Sequence, residues 1–153
     1  MVLLTSCTPE NEPIVGLAVR DGRPVMVVVS CLGSSSEASV HELDGVPAGP
    51  SSGADDLPSW SVDADTPQQV TEIPLFEPPP EGWIVQVDTL SSLQPGTRYM
   101  ITGYAGRMAL SVTFTVADLR RIGPDDVLVE TADGRRGTTP QTSFVSWAAD
   151  SCR

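Results

Sequence analysis

The sequence predicts an all-β fold, and three observations predict it. Alternating apolar and polar residues recur in short runs, most clearly between Trp83 and Leu119. Dipeptides that favour turns, such as Asp21-Gly22, Pro95-Gly96 and Asp133-Gly134, separate those runs. Fourteen prolines and thirteen glycines spread over 153 residues leave little room for long helices. The chain suits one domain large enough to bury a core. No stretch of 18 apolar residues is present to span a membrane as a helix.

Taken in order, residues 14–20 alternate loosely and read as a first strand, with Asp21-Gly22 as its turn. Residues 25–29, Val-Met-Val-Val-Val, are continuously apolar, which fits a central strand buried on both faces. After the loop at residues 33–36, residues 38–43 read as a third strand without a clean inward face. Residues 44–59 are rich in Gly, Pro, Ser and acids and cannot bury enough to fold alone. Trp60-Ser61-Val62 and Val70-Thr71-Glu72-Ile73 suit short edge strands. Pro78-Pro79-Pro80 makes a stiff polyproline II connector.

Trp83, Val85 and Val87 form the next run, with Gln86 and Asp88 facing the other way. Tyr99, Ile101 and Gly103 alternate with Met100, Thr102 and Tyr104, and Ala105-Gly106-Arg107-Met108 supplies a hairpin loop. Leu110, Val112, Phe114 and Val116 then alternate with three hydroxyl residues, as a half-buried strand does. Residues 116–122 suit one helical turn, residues 126–130 a short strand, and residues 132–135 a turn. In the tail, Phe144 and Trp147 at three-residue spacing would face the core from a helical turn.

The link between the last three runs is Leu93-Gln94-Pro95-Gly96-Thr97-Arg98-Tyr99. Pro95 presets its own dihedral and Gly96 permits a positive one, so the pair makes a type II turn. A tyrosine placed just after such a turn can pack inward and bond its hydroxyl to backbone upstream. Leu93, Pro95, Gly96 and Tyr99 at these spacings resemble the tyrosine corner of fibronectin type III and related immunoglobulin-like domains. The resemblance covers about a quarter of the chain. It implies an immunoglobulin-like β-sandwich over residues 14–153, with long Pro/Gly-rich loops and a short C-terminal extension. It also makes Ile84–Asp88 strand E, residues 98–104 strand F and residues 110–116 strand G. Such sandwiches host unrelated activities, so the resemblance implies no function.

The formal net charge is −11 and unevenly spread: residues 1–97 hold fourteen acids against two arginines, residues 98–153 seven arginines against six acids. An acidic surface repels phosphate backbones, which argues against nucleic acid as a partner. Lysine is absent, as the coding bias of a GC-rich genome would produce. Leu4-Thr5-Ser6-Cys7 resembles a bacterial lipobox, in which Cys7 is lipidated and becomes the mature N-terminus. Only Met1-Val2-Leu3 precede it, short of the charged start and apolar stretch of about 7–15 residues that a signal needs. Residues 1–13 are therefore read as signal remnant, lipobox and tether. Cys31 and Cys152 remain as an even pair, which in an exported protein is expected to be bridged. This layout resembles small secreted immunoglobulin-like lipoproteins of actinobacterial genomes.

Catalytic chemistry finds little foothold. His41 is the one histidine, and no Gly-x-Ser-x-Gly elbow or phosphate-binding glycine loop occurs, so no catalytic residue and no cofactor is assigned. Three cysteines without C-x-x-C spacing do not make a zinc site. Asp55, Asp56, Asp63 and Asp65 could offer oxygen ligands to calcium but lack the spacing of an EF-hand loop, so no metal is assigned. Arg120-Arg121 and Arg135-Arg136 suit either a basic patch or pairing with acids of the first half. The expected function is that of a non-enzymatic binding module, lipid-anchored on the outer face of the cell membrane or secreted. Its partner would be a protein or other envelope component. The alternatives are a small β-sandwich hydrolase or sugar-active enzyme using loop carboxylates and His41, and a soluble accessory subunit with free thiols.

Overall fold

The computed structural model describes residues 11–44, 57–131 and 133–153. Its strands are β1 (Val15–Arg20), β2 (Arg23–Val29), β3 (Ser36–Glu42), β4 (Ser59–Ala64), β5 (Val70–Pro74), β6 (Ile84–Asp88), β7 (Tyr99–Ala105), β8 (Val112–Phe114), β9 (Asp126–Glu130) and β10 (Arg136–Pro140). Two helices accompany them, α1 (Val116–Leu119) and α2 (Gln141–Asp150). The strands form two five-stranded sheets with orders β10-β9-β1-β2-β5 and β6-β4-β3-β7-β8. Every strand pairing is antiparallel. The protein is an all-β sandwich with one helix of three turns at its C-terminal end.

The first hairpin forms because Asp21 and Gly22 both take positive φ, 51° and 76°, which is the twist a two-residue turn needs. It sets the register Val15↔Val28 through Arg20↔Arg23. β2 is buried on both sides: Met26, Val27, Val28 and Val29 are all fully shielded. One side meets the opposite sheet, and the other is covered by α2, which packs against β2, β9 and β10. Phe144 and Ala148 are the buried residues of α2, whereas Trp147 is 53% exposed. The pair that faces the core is thus i and i+4, not Phe144 with Trp147, because an α-helix stacks residues four apart on one face.

Two placements differ from the pattern-based expectation. Ile84–Asp88 does not return to the sheet of β2; it pairs with β4 at the edge of the other sheet. The second neighbour of β2, on the side away from β1, is β5, with register Val25↔Pro74 through Val29↔Val70. Trp60 likewise sits in an internal strand, since β4 lies between β3 and β6. Alternation reveals which side chains share a face, and is silent about which strand lies next door.

β3 lacked a clean inward face in sequence because its inward positions are small. Ser36, Ala38 and Val40 are buried opposite Ala64, Val62 and Trp60 on one side and Ala105, Gly103 and Ile101 on the other. Gly103 is required there: a Cβ at this position would run into the backbone carbonyl of Glu37 on the neighbouring strand. The core is closed by Tyr99 against Phe114, centroids 5.8 Å apart, and Trp60 edge-on to Phe76 at 5.9 Å. At the described N-terminal end, Glu12 accepts from Leu110 N–H at 2.8 Å and donates its own N–H to Met108 at 2.9 Å, so the chain pairs with the second sheet before β1 begins.

Candidate functional site

Five places are candidates for a site: the corner before β7, the disulfide end, the outer face of the second sheet, a cleft beside α2, and the edge of the second sheet. At the corner, Pro95 and Gly96 bend the chain with Gly96 at φ +82°, and Thr97 N–H closes the turn on Gln94 O at 3.3 Å. Tyr99 is fully buried and its hydroxyl accepts from Gln94 N–H at 2.7 Å. Leu93 packs half-buried on the core beside it. Arg98 adds an outer clamp, donating to Asp44 Oδ1 from Nε at 3.0 Å and from Nη2 at 2.8 Å, while its backbone N–H reaches Oδ2 at 2.8 Å. Those bonds hold the Asp44 carboxyl below its ordinary value and push the Arg98 guanidinium up. The corner fixes the entry into β7, and a cleft of about 400 Å³ lined by Leu93, Leu75, Phe76 and Leu119 opens beside it.

At the other end, Cys31 and Cys152 are joined by a disulfide, Cα atoms 5.4 Å apart and 121 residues separated in sequence. Arg107, from the loop after β7, reaches into this junction. Its Nη1 lies 2.6 Å from Cys31 Sγ and 3.1 Å from Cys152 Sγ, its Nε donates to Ser151 Oγ at 2.6 Å, and its Nη2 donates to Ala148 O. Ala148 O belongs to the last turn of α2, where carbonyls lack helical partners and a cation is favoured. Burial depresses the Arg107 guanidinium, partly offset by the charge of Glu12. Sequence reasoning found the cysteines by parity and missed Arg107, because nothing local to the loop at residues 105–108 reveals a helix end lying across it. The function of this cluster is a clasp: it locks α2 onto β2 and the β7 loop.

His41 lies on the outer face of β3, its Nε2 2.9 Å from Ser39 Oγ. That separation would serve a nucleophile and base. Ser39, however, is 4% exposed, which leaves no approach for a substrate carbonyl to its oxygen. Asp63 accepts from Gln86 Nε2 at 2.7 Å. Asp55 and Asp56 lie outside the described residues, as does Cys7, and no cluster of three metal-ligating side chains forms among the described residues. Among the described residues no ion pair joins the arginine doublets to an acid of the first half. Arg136 Nη1 lies 3.2 Å from Asp118 Oδ2, and Arg135 Nε 2.6 Å from Asp133 Oδ2. The same Asp118 carboxylate accepts Thr115 N–H at 2.8 Å, which starts α1 and ties it to β10.

A cleft of about 820 Å³ opens beside α2, lined by Arg20, Val70, Asp125, Gln141 and Val145. Its one cation is already engaged: Arg20 bonds Glu72 at 2.7 Å, Pro124 O at 3.2 Å and Gln141 Oε1. The cleft therefore offers no uncommitted charge to an anion.

The edge strand β6 is different in kind. All five of its residues are exposed, including Ile84 at 65%, Val85 at 38% and Val87 at 39%. Trp83, just before it, is buried and pins the strand to the core. Register with β4 places Val87 beside Ser61 and Ile84 beside Asp63, with an irregularity between Ser61 and Val62. The arrangement can bind an extended chain by backbone pairing; no reacting group lies within it. No protein-family model, no curated protein and no solved structure matches this chain.

Proposed function

We propose that this chain is an immunoglobulin-like module of an exported, lipid-anchored envelope protein, and that it works by binding a partner and not by catalysis. The Cys31–Cys152 bond carries the reading, because a disulfide closing 121 residues, from just after β2 to just after α2, is typical of an oxidising compartment. The immunoglobulin-like assignment is supported by strand order. With β1, β2, β3, β5, β7 and β8 as A, B, C, E, F and G, the pairings A-B, B-E, C-F and F-G of that fold all occur. On this scheme β4 and β6 extend the second sheet beyond C, and β9 and β10 extend the first beyond A. The Tyr99 hydroxyl bonded five residues upstream, just before F, agrees with it. Binding is supported by the exposed aliphatic side chains of β6, which a sandwich gains nothing by leaving in water.

The test is the intact mass and fractionation of the protein from its native host. The expected result is protein in the envelope fraction, two hydrogens lighter than the reduced chain and carrying an acyl group on Cys7. Protein found wholly in the cytosol with three reactive thiols overturns the reading.

A further inference from the structure

The four sheet edges are not alike. β8 has three residues, and its Thr113 carbonyl is taken by Arg136 Nη1 at 2.6 Å. β5 ends in Pro74, and β10 starts with Arg136 and ends with Pro140. Short length, prolines and charges are among the means by which proteins blunt an edge. β6 has none of them within its aliphatic part, Ile84-Val85-Gln86-Val87, and among the described residues it pairs only with β4. Alternate backbone amides and carbonyls of such a strand point outward, ready for another chain.

The surroundings decide what that chain is. No arginine or lysine occurs between Arg23 and Arg98, and Asp63, Asp65, Glu81 and Asp88 stand on β4, on β6 or in the segments adjoining them. A second copy of this chain would bring the same acids and a net charge of −11 against them. We propose that the β6 edge docks an extended segment of a partner protein in which aliphatic residues alternate with lysine or arginine. The segment adds a sixth strand to the second sheet. Its aliphatic side chains lie along Ile84 and Val87 on the outer face, and its cations meet the rim of acids. This inference rests on the binding-module reading above and names the partner that module takes.

The experiment uses the disulfide-intact chain and two capped eight-residue peptides, one alternating valine with lysine, the other valine with glutamate. Hydrogen exchange followed by mass spectrometry reads which amides each peptide protects. The Val-Lys peptide is expected to slow exchange over residues 84–88 by about tenfold, an effect that fades as salt screens the rim. The Val-Glu peptide is expected to do nothing. Ile84→Lys/Val87→Lys, at two exposed positions, removes the protection, and Ile84→Thr/Val87→Thr, which keeps strand propensity, weakens it. Equal protection by both peptides, or protection confined to another strand, overturns the proposal. So does a dimer of the chain alone in ultracentrifugation that Ile84→Lys/Val87→Lys dissolves, since the occupant is then a second copy. The two readings fail separately: an envelope protein with its bridge intact but no protection at β6 loses only the edge. A cytosolic protein whose β6 is protected by the Val-Lys peptide loses only the export.

Discussion

Single side chains decide how firmly the corner before β7 is held. The Tyr99 hydroxyl takes the Gln94 N–H from inside the sandwich, so Tyr99→Phe keeps the ring packing and removes one bond. The expected loss is about 1 kcal/mol in urea unfolding, the usual net worth of such a bond. The Asp44–Arg98 clamp gives a pH signature. The folded Asp44 carboxyl is lowered from 3.8 by the Arg98 hydrogen bonds, so its stabilisation is fully present above the unfolded value and is lost as pH falls through the lower folded one. Wild type should therefore unfold at a higher temperature than Asp44→Asn at neutral pH, and the gap should close in strong acid. A gap that persists unchanged at pH 2 would show that the carboxylate charge is irrelevant.

Elements differ in what holds them. α2 is anchored by Phe144 and Ala148, and Trp147 stands largely in water. Phe144→Ala should cost about 3–5 kcal/mol by opening a cavity under the helix. Trp147→Ala should fall within about 0.5 kcal/mol of wild type, as exposed substitutions do. The reverse ranking in denaturant unfolding would mean the helix is rotated. α2 is also the element the disulfide secures. Cys31→Ser/Cys152→Ser removes the 121-residue closure and should lower stability by about 4–5 kcal/mol on the chain-entropy model. The Arg107 bonds to Ser151 Oγ and Ala148 O make the same junction from the other side, so the helix end keeps a second, non-covalent tie.

For the molecule as a whole, the charge asymmetry along the chain becomes a spatial one. Arg20, Arg23 and Arg98 pair with Glu72, Glu77 and Asp44, while among the described residues no arginine forms an ion pair with Asp63, Asp65, Glu81 or Asp88 on the β4–β6 side. That side also holds the exposed aliphatic strand, so apolar surface and negative potential coincide. Docking there should accelerate with falling salt, since rim charge acts on encounter more than on final affinity. Measured association rates of the Val-Lys peptide that ignore ionic strength would contradict this picture.

Much of the sandwich was legible in local sequence. Pro95-Gly96 and Asp21-Gly22 take the turns their own backbone preferences favour, and Tyr99 finds its partner five residues upstream. Alternation in the runs containing Val112 and Phe114 names the buried face directly, and cysteine parity names a pair. Tertiary structure alone decided that Ile84–Asp88 joins β4 while β5 joins β2, that Arg107 reaches the end of α2, and that β6 has no second strand beside it among the described residues. Side-chain patterns encode which surface of a strand is dry. Neighbours across a sheet, and the edge that remains, are set by how the whole chain closes its loops, and no short stretch of residues carries that information.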